Sequence, residues 1–226
     1  CGNKTMNTTL TLLYKTITDL YRGRNLIWQI VGIITVLILV ISGMDWWYFT
    51  HLRNTMFYRF FIYAGLVGFF VPGLLVLSLW IVGKLRNNAR MITAGFVTLY
   101  AGILGWCVSS LYKFFTGRIH PYHTHDALIP NLANLPDTSG IWNFGFGQGG
   151  IFWGWPSSHT TVAFSMMVAL ALYYRDKRWI GVLAILYAFY IAIGASIGFH
   201  WLSDAVFAII LGSIIGISVV KNYNQK

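Results

Sequence analysis

A group of basic residues, Lys113, Arg118 and His120, follows one of the apolar runs of this 226-residue chain. Gly117 permits a tight turn and Pro121 stops a helix, so the group is expected where a helix ends. Two fixed cations and an imidazole together suit an anion such as a phosphoryl group. The alternative is that Lys113 and Arg118 only extend towards lipid headgroups, as interfacial cations do.

A second motif, Pro156-Ser157-Ser158-His159, opens a later apolar run. Proline at a helix start, followed by hydroxyl residues, predicts a helix N-terminus whose free N–H groups and positive dipole end face outwards. Such an end binds phosphate readily. A histidine beside it can exchange a proton with a leaving group. The alternative is a serine N-cap next to an interfacial histidine that takes no part in chemistry.

A third motif contains His200 and Asp204, which lie four residues apart and would share one face of a helix. A carboxylate that holds one ring nitrogen fixes the histidine tautomer and makes the other nitrogen a better nucleophile. An aspartate at the mouth of an apolar run is costly, which favours a functional role over a purely structural pair.

The elements that must position these motifs are apolar runs close to the ~20 residues that cross a membrane as a helix. Hydrophobic residues make up 57% of the chain and charged residues 10%, too few charges for a soluble domain. The predicted fold class is an all-α, polytopic membrane bundle. Its six transmembrane helices are expected at 26–43, 60–83 with a kink at Pro72, 91–115, 155–174, 179–199 and 202–220.

Residues 1–25 are predicted to form a separate N-terminal segment, because residues 8–21 carry apolar side chains at helical spacing. This amphipathic helix is expected to lie along the membrane interface. Residues 26–226 then form the six-span domain, with an outer active-site loop at 116–154. The second half of that loop is rich in aromatic residues and glycine, which suits a position among lipid headgroups over a lipid site.

The distribution of charge predicts the orientation of the chain, whose net charge is +10. With the N-terminus inside, twelve of the sixteen Lys and Arg residues fall on the inner side. Because cytoplasmic loops are enriched in these residues, both termini are expected in the cytoplasm and the three motifs on the outer face of a bacterial inner membrane. The four outer cations are Arg53, Arg59, Lys113 and Arg118. Nucleic-acid binding is not expected, since apolar runs separate the basic residues.

In order, spacing and attachment to the apolar runs, the three motifs resemble those of the type 2 phosphatidic acid phosphatase superfamily. These proteins are six-helix membrane phosphatases related to vanadium haloperoxidases, with the signature Lys-x6-Arg-Pro, Pro-Ser-Gly-His and Ser-Arg-x5-His-x3-Asp. Lys113 and Pro121 preserve the frame of the first motif, residues 156–159 match the second, and His200-x3-Asp204 matches the end of the third. The resemblance covers about residues 60–220.

The resemblance implies that His200 attacks phosphorus to form a phosphohistidine, with Asp204 orienting the ring. His159 would protonate the leaving oxygen and then activate water. Such a scheme requires no metal and no other cofactor, since fixed cations and amides meet the developing charge. The phosphoryl oxygens would be held by Lys113, the Ser157 hydroxyl and the backbone N–H near Ser158.

Both arginines of the signature are missing from this chain. His120 stands in place of the first, two positions after Arg118, and Gly194 stands in place of the second. Two interpretations remain open. Arg118 and a protonated His120 could bind the phosphate together, which would tie activity to mildly acid pH, or Gly194 could make room for a bulkier headgroup.

The expected function is removal of a phosphate from a membrane lipid, for which phosphatidic acid, phosphatidylglycerophosphate, polyprenyl diphosphate and lipid A phosphates all fit. A lipid phosphotransferase is one alternative, and a degenerate member that binds or moves a phospholipid is another. A third is a metal-dependent hydrolase, whose ligands would come from His120, His123, His125, His159, His200, Asp126 and Asp204. A membrane lipid is the one partner expected, and nothing in the sequence indicates an oligomeric state.

Overall fold

The computed structural model describes residues 2–53, 55–121, 136–150 and 153–224. Helices account for most of them, and no strand occurs among the residues described, so the all-α prediction is confirmed. The helices are α1 (Gly2–Leu20), α2 (Gly23–Ile41), α3 (Met44–Leu52), α4 (Met56–Phe61), α5 (Ala64–Leu85), α6 (Ala89–Thr116), α7 (Ser158–Tyr173), α8 (Arg178–Gly198) and α9 (Leu202–Tyr223).

The six predicted membrane helices correspond to α2, α5, α6, α7, α8 and α9. Within the described ranges, five helical stretches are long and apolar enough to cross a membrane. The sixth, α7, is apolar but shorter, at 16 residues. The predicted polytopic membrane bundle is therefore confirmed, with helix ends that differ from the predicted ends by a few residues.

Short helices and helix ends account for the differences from the predicted elements. The sequence pattern missed α3 and α4, which join α2 to α5 on the side of the three motifs. The second span was expected to start at residue 60, but α5 begins at Ala64 after a turn. The helix α6 ends at Thr116, one residue beyond the predicted end of the third span, and Gly117 follows as its C-cap with a left-handed φ of 46°.

The N-terminal helix α1 begins at Gly2, six residues before the predicted start. It packs against α9, with Leu12, Thr16 and Leu20 buried. An ion pair between Asp19 and Lys221 joins the two helices at 2.8 Å. The predicted N-terminal helix is thus present, while its position along the membrane interface remains a prediction.

Close packing between α7 and α9 forms the centre of the bundle. A Cβ atom added to Gly212 would lie 2.6 Å from the carbonyl oxygen of Thr161, and one added to Gly216 would lie 2.7 Å from that of Ser165. Two glycines four residues apart let helix backbones approach closely in a membrane. This contact determines how the first turns of α7 and α9, which carry the second and third motifs, stand relative to each other.

The variant Gly212→Ala is expected to lower the free energy of unfolding by about 1–3 kcal/mol, because its methyl group forces α7 and α9 apart. Thermal unfolding of the purified protein in detergent measures the change. The matched control is Gly73→Ala on α5, where nothing lies within 4 Å of the added methyl group. Equal melting temperatures for the two variants would contradict the close contact.

Candidate active site

A cavity of about 950 Å³ lies between α5, α6 and α7 and extends to the end of the bundle that carries the three motifs. Side chains from all three motifs form its polar end: Lys113, His120, Ser158, His159 and His200. Apolar residues and glycines line the rest, among them Phe69, Pro72, Val76, Leu99, Ile103, Trp106, Val162 and Met166. The cavity thus combines a polar end with a long apolar part.

His200 lies in the connection between α8 and α9, so it does not share a helix with Asp204 as the sequence suggested. Asp204 stands in the first turn of α9, where its Oδ2 accepts the backbone N–H of Trp201 at 3.0 Å and closes a capping box. The Nδ1 atom of His200 lies 3.4 Å from the same oxygen. The two groups are not aligned for a hydrogen bond in this structure, and such contacts commonly tighten when a ligand binds.

His200 is only 3% exposed. Burial lowers its pKa to about 3, an effect that outweighs the opposing influence of Asp204. The imidazole is therefore neutral at physiological pH, which is the nucleophilic form. Since Nδ1 faces the carboxylate, Nε2 is the nitrogen available on the side of the cavity.

His159 stands in the first turn of α7 and lines the cavity beside His200. Its ring packs edge-on against Phe199, with ring centroids 5.1 Å apart. No hydrogen bond joins the ring to another residue in the described part of the chain. The ring can therefore exchange a proton with a group bound in the cavity.

The two serines of the second motif differ in position and in hydrogen-bond partners. Ser157 is buried, does not line the cavity, and its Oγ accepts the N–H of Thr160 at 3.4 Å as the N-cap of α7. The expected contact of Ser157 with phosphate is therefore not supported, because this hydroxyl holds the helix start. Ser158 does line the cavity, and its hydroxyl lies 3.0 Å from that of Ser109.

Positive charge at the polar end of the cavity comes from a side chain and from a helix. The ammonium of Lys113 is buried and donates to the carbonyl oxygen of Trp153. The backbone N–H groups of Ser158 and His159 have no acceptor among the residues described. Free N–H groups at the positive end of a helix, beside a buried ammonium, form an anion site.

Arg118 is completely buried and does not line the cavity, so its position does not support the predicted contact with phosphate. Its Nη1 donates to Asp204 at 2.5 Å and to Ser203 at 2.7 Å, and its Nη2 donates to Asp45 at 2.7 Å. Both Nε and Nη2 also donate to the carbonyl oxygen of Ser139. Every nitrogen of the guanidinium thus donates at least one hydrogen bond. The buried charge of Arg118 has a reason, since two buried carboxylates require a cation beside them.

The sequence analysis missed Asp45, which lies in α3 and is fully buried. Its Oδ1 accepts the N–H of Ser203 at 2.8 Å, and its Oδ2 accepts the Ser203 hydroxyl at 2.5 Å. These bonds attach α3 to the first turn of α9. The available signal was an aspartate directly after an apolar run and followed by two tryptophans, since such a carboxylate needs a buried partner.

Among the described residues, no arginine lines the cavity in place of the two arginines of the signature. A Cβ on Gly194 would lie 2.1 Å from that of Ala64, so this glycine permits close packing of α8 on α5 and leaves no extra room for a headgroup. His120 does line the cavity, with its Nδ1 3.3 Å from the carbonyl oxygen of Phe199. Its ring centroid lies 5.7 Å from that of His200.

The loop between α6 and α7 supports the site from outside. Trp142 covers the guanidinium of Arg118 at 4.6 Å, and Trp153 lines the cavity. Phe144 and Phe146 project outwards, with 71% and 81% of their surface exposed. Exposed aromatic rings beside the cavity fit the expected position of this loop among lipid headgroups.

A metal centre needs several ligands close together. Across residues 2–53, 55–121, 136–150 and 153–224, no group of three His, Cys, Asp or Glu side chains is arranged to hold one. Of the seven candidate ligands, His123, His125 and Asp126 lie outside the described residues.

Comparison with known proteins agrees with the fold. Of the solved structures, that of the first transmembrane PAP2 type phosphatidylglycerolphosphate phosphatase from Bacillus subtilis is similar to this chain, with a TM-score of 0.55 and 14% sequence identity. The match covers 87% of this chain and 96% of that one. No curated protein matches this sequence. The sequence profile of the PAP2 superfamily matches residues 90–226, which is more than half of the chain and contains all three motifs, and the protein therefore belongs to the PAP2 superfamily.

Proposed function

We propose that this protein is a membrane phosphatase that removes phosphate from a lipid phosphate or diphosphate through a phosphohistidine on His200. The observation that carries the proposal is the composition of the cavity. Its polar end contains a neutral imidazole, a second histidine, a buried ammonium and free helix N–H groups, and the remainder is apolar. A ligand with phosphate at one end and a hydrocarbon chain at the other matches this division.

In the first step, Nε2 of His200 attacks phosphorus while the bond to the leaving oxygen breaks. His159, as the imidazolium, gives its proton to that oxygen, and the lipid alcohol leaves. Lys113 and the N–H groups of Ser158 and His159 hold the phosphoryl oxygens as charge develops. Asp204 stabilises the positive charge on the His200 ring, since its Oδ2 lies next to Nδ1.

In the second step, the now neutral His159 takes a proton from a water molecule as the water oxygen attacks phosphorus. The N–P bond breaks, inorganic phosphate leaves, and both histidines return to their starting protonation states. Each step uses only side chains, backbone amides and water, so the proposed reaction is independent of metal ions. Activity that survives a strong chelator would support this part of the proposal.

Arg118 is proposed to act on the reaction through Asp204 and not through the phosphate. It forms ion pairs with both Asp204 and Asp45, and the pair with Asp204 keeps that carboxylate charged and in place beside His200. His120 lines the cavity close enough to add a hydrogen bond to a phosphoryl oxygen. Lys113 is then the fixed cation that binds the phosphate.

The orientation proposed from the charge distribution places the cavity on the outer face of the membrane. The polar end of the cavity and the exposed rings of Phe144 and Phe146 lie at one end of the bundle. Exposed basic residues crowd the other end, among them Lys84, Arg86, Arg90, Arg175, Lys177 and Arg178. Enrichment of basic residues on the cytoplasmic side supports an external active site and cytoplasmic termini.

Binding of a phospholipid without hydrolysis is the second candidate function. It is favoured by the cavity's low charge, because Lys113 is the one arginine or lysine among the described residues that line it. Phosphate release from phosphatidic acid by the purified protein separates the two candidates. Absence of release from every lipid phosphate tested would favour the binding protein.

The variant His200→Ala is expected to lower phosphate release at least ~10³-fold for both phosphatidic acid and p-nitrophenyl phosphate, because it lacks the nucleophile. His159→Ala is expected to behave differently with p-nitrophenyl phosphate, whose leaving group needs no proton. Quench-flow kinetics should then show a burst of p-nitrophenol equal to the enzyme concentration, followed by slow phosphate release. Release by His200→Ala at the wild-type rate would refute the proposed nucleophile.

The variant Arg118→Met should lower the free energy of unfolding by about 3–5 kcal/mol, because it leaves two buried carboxylates without a cation. The double variant Arg118→Met/Asp45→Asn removes one of these charges and should be more stable than the single variant. Denaturant unfolding in detergent compares them. For phosphatidic acid, the double variant should lose kcat with little change in KM, since Arg118 does not touch the substrate. A rise in KM larger than the loss in kcat would instead indicate direct phosphate binding by Arg118.

The variant Gly73→Phe should fill the apolar part of the cavity, since nothing lies within 4 Å of a Cβ at this position. If it displaces two methylenes of the substrate, at about 0.8 kcal/mol each, kcat/KM for long-chain phosphatidic acid should fall ~10-fold. The value for p-nitrophenyl phosphate, which has no chain, should stay within about twofold. The control is Leu66→Phe, an exposed position on the same helix that does not line the cavity. An equal loss for both substrates would refute the assignment of the apolar part to the lipid chain.

A further inference from the structure

A second cavity, of about 630 Å³, lies at the end of the bundle opposite the candidate active site. The helices α5, α7 and α8 form its walls, and the start of α6 lies at its mouth. It shares no lining residue with the first cavity. The proposed phosphatase reaction gives it no role.

The walls of this cavity are apolar. Val71, Leu75 and Leu79 form a stripe on α5 with a spacing of four residues, and Leu183 and Tyr187 face them from α8. The stripe runs along the membrane-spanning part of α5. The walls of the second cavity therefore suit a hydrocarbon chain that lies parallel to the helices.

The mouth of the cavity is basic and structurally organised. Arg86, Arg90 and Lys177 line it, and all three are exposed. The guanidinium carbon of Arg90 lies 4.7 Å from the centre of the Tyr174 ring, and Nζ of Lys177 lies 5.9 Å from the same centre. The buried ring of Tyr174 thus positions two cations where the apolar walls end.

Charge at the mouth is positive overall. Asp176 accepts two hydrogen bonds from Arg90, one of them 2.9 Å long between Nη1 and Oδ2, so that pair is neutral. Arg86 and Lys177 make no ion pair with the acids of the described residues. Two cations therefore remain available to an anion.

We propose that this cavity binds an anionic phospholipid, with one acyl chain along the α5 stripe and the headgroup phosphate between Arg86 and Lys177. Basic pockets between membrane helices bind anionic headgroups in this way. A zwitterionic lipid offers the same chain but also brings a positive group to the mouth, and a free phosphate ion leaves the apolar walls empty. The proposal requires membrane placement of the bundle and does not depend on phosphatase activity.

Native mass spectrometry of the full-length protein in detergent tests the proposal. Phosphatidylglycerol and phosphatidylcholine with identical acyl chains are added in separate experiments, and retained lipid is counted. The wild-type protein should retain phosphatidylglycerol preferentially. The variant Arg86→Gln/Lys177→Gln should lose that preference about 10-fold or more, since each cation contributes to headgroup attraction.

The matched control is Lys84→Gln/Arg175→Gln, which removes the same charge from exposed positions at the same end that do not line the cavity. It should retain the preference for phosphatidylglycerol. Melting temperatures check that both double variants are folded, and phosphate release, which reports on the first cavity, should be unchanged in both.

Three results would overturn the proposal. Equal losses in the two double variants would indicate general attraction to a basic surface. Equal retention of the two lipids by the wild-type protein would indicate that the headgroup is not recognised. Binding of inorganic phosphate that depends on Arg86 and Lys177 and displaces no lipid would indicate a site for a free anion.

Discussion

One buried guanidinium, that of Arg118, forms ion pairs with two carboxylates that have no contact with solvent. Removing a charge from water is expensive, so each of these groups is tolerable only with the others present. Asp45 comes from α3 and Asp204 from α9, while Arg118 follows α6 directly. The network therefore joins three separate parts of the chain at the end of the bundle where His200 lies.

The nucleophile of the proposed reaction depends on this network without belonging to it. Asp204 uses one oxygen for Arg118 and the other for the N–H of Trp201, and the second oxygen is also the one nearest His200. The position of the imidazole thus follows from a helix cap and an ion pair that are both buried. Because Arg118 is used in this network, the groups left in the cavity for phosphate are Lys113 and the N-terminus of α7. The rest of the cavity lining is mostly apolar.

The sequence predicted the membrane helices well because length and hydropathy determine whether a segment crosses a bilayer. It also brought His159, His200 and Lys113 to one site, which the structure does as well. The spacing of residues alone could not reveal that Arg118 binds carboxylates and not phosphate. Its partner Asp45 lies far away along the chain, and only the packing of the helices brings the two side chains together. Gly194 was ambiguous for a related reason: a missing side chain leaves either open space or room for another helix, and here Ala64 occupies it.

The stereochemical course at phosphorus tests the proposed two-step reaction most directly. A substrate with a chiral, isotopically labelled phosphoryl group is converted, with an alcohol as acceptor in place of water, and the configuration of the product is determined. Two successive in-line displacements, first by His200 and then by the acceptor, predict retention of configuration. Inversion would contradict the account, because it requires a single direct displacement without a phosphohistidine.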